Sequence, residues 1–152
     1  MLSPSSRACR GTKHEASDIV AAARGWIGTP FAHKASVKGV GCDCLGLVRG
    51  VWRELFGAEP EAVPAYAADW SGERLRDGLA RHLNEVPRAA MRGGDVALFR
   101  LLPHGPARHC GIVGEKEGGF TLIHARQNRV VREEPLSRFW QARLVEVFRL
   151  RG

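Results

Sequence analysis

Apolar residues recur at helical spacing through the first half of the chain and in short runs through the second. In "SDIVAAARGWIG", Ile19, Ala22, Ala23 and Trp26 fall on one helical face, with Ser17 placed as N-cap and Gly28 as stop. "TPFAHKASVKGVG" reads as a loop opened by Pro30. A second helix starts at Asp43 or Cys44 and ends near Phe56, before Gly57 and Pro60. Its stripe is Cys44, Leu47, Val48, Val51 and Leu55, and Gly46 and Gly50, four apart, invite close approach of another backbone. "EAVPAYAADW" is irregular. "SGERLRDGLARHLNEV" is the third helix, with Ser71 as cap and Leu75, Leu79 and Leu83 as its buried row.

Beyond that helix the period changes. "GGDVALFRLL" is a turn and a strand too apolar for anything but a central position. "HCGIVGE", "GFTLIHA", "NRVVREE" and "ARLVEVFRL" are further β-rich runs separated by turn residues. Helices followed by an antiparallel sheet define an α+β fold. Residues 1 to about 15 form a loose lead-in, and 16–150 a single domain without repeats or linkers.

Composition narrows this little. The chain has 152 residues and a formal net charge of +7, which favours acidic partners in general and selects none. No apolar run approaches the ~20 residues of a membrane span, and the opening "MLSPSSRACRGTKHEAS" lacks the core of a secretory signal. Synthesis in the cytoplasm is expected, with transport to any outer site of action left to a carrier. Four cysteines are too few for a disulfide framework at this length.

Two of those cysteines bracket Asp43 in "GVGCDCLGLVRGVW". A thiol attacks as a thiolate, and the first turn of a helix lowers its pKa. With Asp43 as cap, Cys44 occupies that turn and Cys42 does not. The alternative is that Cys44 is merely a small hydrophobe on its helix's buried stripe. The histidines bear on the choice. A hairpin centred between Lys116 and Glu117 pairs Val113 with Phe120, Gly111 with Leu122, and His109 with His124. The two imidazoles then share a face, suited to a base and its orienting partner. A zinc site from Cys42, Cys44, His109 and Cys110 is the rival use, but C-x-C with an adjacent H-C fits zinc spacing poorly. A redox pair would need C-x-x-C.

With "DCLGLV", "RHCGIV" and "LIHA", the chain resembles the NlpC-type cysteine peptidases, papain-like hydrolases of cell-wall peptides. The similarity runs from Ile19 to about Phe148 and includes "WIGTPF" and "GGDVALF". The run "WIGTPFAHKASVKGVGCDCLGLVRGVWRELFG" is most similar to the branch encoded with phage tails and gene-transfer agents. The resemblance implies five or six antiparallel strands with the nucleophile helix packed on them. It makes Cys44 the nucleophile, His109 the general base and acid, and His124 the orienting residue. It implies a peptidoglycan stem-peptide substrate, typically cut after γ-D-glutamate, with no cofactor and with phage-like tail proteins as possible associates, and no metal or nucleic-acid partner is expected. An amidase or acyltransferase on the same scaffold, or a weakly catalytic wall-binding tail component, are the alternatives. Phe31, His33, Asp43 and Leu45 are expected at the substrate. Phe31 stands where family members often carry tyrosine, and Leu45 where many carry serine, so two hydrogen-bonding groups are missing near the reacting centre.

Overall fold

The computed structural model describes residues 15–59 and 74–150. Helix α1 spans Ala16–Arg24. A short hairpin, β1 (Ser36–Val37) and β2 (Gly41–Cys42), leads into helix α2, Cys44–Phe56. Helix α3 (Arg74–His82) precedes β3 (Asn84–Val86), β4 (Val96–Phe99), β5 (His109–Lys116), β6 (Gly119–His124) and β7 (Arg132–Pro135). Helix α4 (Arg138–Arg143) and β8 (Leu144–Arg149) complete the described chain. None of the described helices is long and apolar enough to cross a membrane.

Strands β3 to β8 form one antiparallel sheet in the order β3-β8-β4-β5-β6-β7. The α+β architecture and the six strands agree with the sequence reading. Strand β4 lies in the interior, and all four of its residues are buried, as its unbroken apolar run requires. Alternation splits its side chains between two cores. Val96 and Leu98 join Ile112, Ile123 and Phe148 under the helices, while Ala97 and Phe99 join Val113, Leu122, Trp140 and Val147 on the far face.

Helix α2 packs closely because two of its positions have no side chain. A Cβ on Gly50 would lie 2.0 Å from the Trp26 ring, and one on Gly46 would lie 1.9 Å from the Ala35 carbonyl oxygen. Trp26, 1 % exposed, fills the space that Gly50 leaves.

Several expected boundaries change. Glu15, not Ser17, is the N-cap of α1, because Glu15 and Asp18 form the reciprocal capping arrangement. The third helix stops at His82, and 84–86 pair with β8 instead of extending it. Leu75, Leu79 and Leu83 are buried as expected. Ser71, the lead-in 1–14 and the 61–70 stretch lie outside the described residues. The β1–β2 hairpin lies inside the expected loop, and α4 begins between two runs that read as β-rich and ends two residues into the second.

Candidate active site

Asp43 sets where α2 begins. Its Oδ1 accepts the Gly46 N–H at 2.7 Å, and its Oδ2 accepts the Lys34 N–H at 2.6 Å. One carboxylate therefore caps the helix and ties down the preceding loop. Cys44 becomes the first helical residue, where backbone N–H groups lack intrahelical acceptors and the positive end of the dipole favours a thiolate. It is 6 % exposed.

Three groups meet its sulfur. The Cys110 thiol donates a hydrogen bond to it, His109 hydrogen-bonds to it from the start of β5, and the Cys110 backbone contributes a further bond. His109 and Cys110 are strand neighbours on opposite faces, as strand alternation requires. Cys110 belongs to the helix-side core, while His109 lies against Phe99 and Trp140 on the other side. Cys44 reaches both from the end of the strand. The Cys110 bond, then His109, hold the Cys44 thiol well below its ordinary pKa against the opposing effect of burial. Donating that bond, together with burial, pushes the Cys110 thiol well up. Cys42 is pushed up to about 12 by burial and by the Asp43 charge, and stays a neutral thiol.

The histidines meet as expected, through a different register. Strand pairing runs Ile112 to Ile123, Val113 to Leu122 and Lys116 to Gly119, so the two-residue turn is Glu117–Gly118. Gly118 and Gly119 both have positive φ, at 102° and 137°, which fixes the turn one residue beyond the expected centre. The partner of each β5 residue shifts by two, and a shift of two keeps the face. His109 and His124 are therefore diagonal neighbours, with Nε2 of His109 2.8 Å from Nδ1 of His124.

Beyond His124 stands Glu134 on the edge strand β7, its Oε2 2.7 Å from His124 Nε2. The Trp140 side chain donates a hydrogen bond to the same carboxylate, and its ring lies 5.4 Å from His109 and 5.1 Å from His124. Burial, with the charge of His109, pushes His124 down to about 4 despite Glu134. A neutral His124 donating from Nε2 to the carboxylate presents a bare Nδ1. That nitrogen accepts the Nε2–H of His109, which leaves His109 Nδ1 for the sulfur. The result is a chain from Glu134 through His124 and His109 to Cys44, each member setting the tautomer of the next. Sequence reading missed Glu134 and Trp140, whose only sequence signal is an acidic residue on a β-rich run ten positions after His124.

The four residues expected at the substrate separate. Asp43 is 2 % exposed with both carboxylate oxygens engaged, so it is a capping and loop-anchoring residue and not a substrate-facing one. Leu45 is half-buried against the helix-side core, packing where a polar side chain was the alternative. His33 is exposed, its Nδ1 3.8 Å from Asp43 Oδ2. Phe31 is half-buried, forms a bridge with Cys42, and lines an open groove with Pro30, Asn128, Arg129, Val130 and Arg132.

The chain matches the model of the NlpC/P60 family over residues 28–149. Among solved structures, the NlpC/p60 domain of the peptidoglycan hydrolase SagA is similar with 23% identity and a TM-score of 0.61, over 90% of this chain and 100% of that one. An NlpC/P60 family protein from Bacillus cereus gives 19% identity and a TM-score of 0.65, over 90% of this chain and 40% of its own. An N-acetylmuramoyl-L-alanine amidase from Bacteroides uniformis gives 16% and 0.55, over 90% and 99%. No curated protein matches the chain. The protein belongs to the NlpC/P60 family, a family of peptidoglycan hydrolases.

Proposed function

We propose that the protein is a cysteine endopeptidase of peptidoglycan stem peptides, cutting after γ-D-glutamate. One observation carries this reading. The Cys44 sulfur, at a helix start, is hydrogen-bonded to His109, and His109 is itself 2.8 Å from a second, neutral imidazole. In the proposed reaction the Cys44 thiolate adds to the peptide carbonyl, and the Cys44 N–H, free of any intrahelical acceptor, donates to the oxyanion. The C–N bond breaks as His109 passes a proton to the departing amine, leaving a thioester on Cys44. His109 then takes a proton from water, hydroxide adds to the thioester carbonyl, and the acid product leaves as the thiol re-forms. His124 and Glu134 hold His109 in the tautomer that this sequence needs.

The setting belongs to the same proposal. Similarity of residues 26–57 to the phage-tail and gene-transfer-agent branch supports action on a cell wall during entry or release of a phage-like particle, in association with tail proteins. The test is mass spectrometry of purified wall digested by the native protein and by Cys44→Ala. New termini after γ-D-glutamate, absent with C44A, are the expected result. Termini between sugar and peptide would replace the endopeptidase by an amidase, and intact wall with both proteins would leave a binding component only.

A further inference from the structure

We infer that Cys44 and Cys110 are a peroxide-sensitive pair: oxidation of the nucleophile is captured by Cys110 as a reversible disulfide that closes the site. This rests on the reading of Cys44 as the nucleophile and names how that site is regulated. Strand β5 turns the Cys110 side chain toward the helices, into the same buried cluster as Cys44 at the start of α2. The Cys110 S–H donates to the Cys44 sulfur, so the two sulfurs already touch. Packing alone would be served at position 110 by any small apolar side chain, between Leu98 on β4 and Leu47 on α2. What a sulfur adds there is its contact with Cys44. Exposure sets the order of events. Cys44 is 6 % exposed and Cys110 0 %, so a small oxidant meets Cys44 first and Cys110 only through it.

The chemistry follows in two steps. The Cys44 sulfur attacks one oxygen of hydrogen peroxide and the O–O bond breaks. The departing hydroxide takes the proton held by His109 and leaves as water, with Cys44 now a sulfenic acid. The Cys110 sulfur then attacks the Cys44 sulfur, the S–O bond breaks, and the hydroxide leaves with the Cys110 proton as a second water. Two thiols lose two electrons, and one peroxide becomes two waters. The timing is built in. The Cys44 thiolate is what holds the Cys110 proton in place, and the first step removes that charge. Cys42 is the rival resolving thiol. It is separated from Cys44 by an extended Asp43. That places the two Cα atoms about 6.5 Å apart, at the far limit of a disulfide's span. Cys110 needs only to turn an existing hydrogen bond into a covalent one.

The folded protein is treated with hydrogen peroxide, and intact mass, tryptic linkage, thiol labelling and wall digestion are read on one preparation. The mass should fall by about 2 Da as two hydrogens are lost. Peptides 39–49 and 109–116 should be joined, and the joint should persist in Cys42→Ala. The fast iodoacetamide-reactive thiol and wall cutting should disappear together and return with dithiothreitol. In Cys110→Val and Cys110→Ala, Cys44 should instead gain about 32 Da as the sulfinic acid, and dithiothreitol should not reverse it. Circular dichroism before oxidation confirms that both variants are folded. A native protein that goes to the sulfinic acid without the joint overturns the inference. So does a joint to any other cysteine, or full recovery of the Cys110 variants. If the joint forms and reverses but the reduced protein leaves the wall intact, the peptidase reading falls and the oxidation site stands. If the reduced protein cuts the wall and no joint forms, the reverse holds.

Discussion

His124 packs across the sheet from Gly111, where any side chain would crowd it. A Cβ at position 111 would lie 2.9 Å from His124 Cβ and 2.7 Å from Leu122 Cδ1. The glycine lets His124 lean toward His109 on the diagonal, which is how two histidines off the direct register come within 2.8 Å. Gly111→Ala should cost about 1–3 kcal/mol in overpacking and also displace the His124 ring. Denaturant unfolding and turnover, measured on the same preparation, check both. Wild-type turnover with reduced stability would mean that the ring keeps its place.

The Cys44 thiolate depends most on the Cys110 thiol that β5 brings to the start of its helix. Cys110→Val removes the S–H donor but keeps the backbone and most of the volume. The pH at which Cys44 becomes reactive toward iodoacetamide should rise in that variant. It should stay below that of an ordinary thiol, because His109 and the helix start remain. Cys42→Ala should leave the fast-reacting thiol unchanged, and Cys44→Ala should remove it. An unshifted profile in C110V would assign the low pKa to His109 and the helix alone.

His124 gives stability a pH dependence of known sign. Its folded pKa, about 4, lies below the ordinary 6.5. As pH falls through 6.5, the unfolded chain takes up a proton that the folded imidazole refuses. Stability should therefore decline between about pH 6.5 and pH 4, by up to about 3 kcal/mol from this group. Urea midpoints across that window should slope downward on acidification in the native protein and less steeply in His124→Asn.

Glu134 acts through His124, so its substitutions should separate charge from geometry. Glu134→Gln keeps an oxygen to accept the His124 Nε2–H and should retain most activity. Glu134→Ala frees the tautomer and should lower kcat by about 10- to 100-fold, with KM less affected. Rescue by glutamine and not by alanine marks a positioning role. Equal losses in both would require the negative charge itself.

Local rules made much of this protein legible before any fold was known. Asp43 before Cys44, with Gly57 beyond Phe56, bounded α2 correctly because capping is a short-range matter of unpaired backbone groups. The apolar run 96–99 read as a central strand because only a strand covered on both faces tolerates it. The two histidines share a face in either register because strand alternation survives a slip of two residues, and the glycines set the turn one residue beyond the centre that alternation predicts.

What the chain by itself determined was which side chain heads a helix and which ones line a strand face. Tertiary packing alone decided the rest. Glu134 reaches His124 only through the β6–β7 register, and Trp140 covers the imidazoles only because α4 forms in the stretch between two runs that read as β. Cys110 touches Cys44 only where the start of β5 meets the start of α2. These contacts join residues through sheet register and layer packing, which arise from the sum of many weak apolar contacts and leave no short-range mark on the sequence.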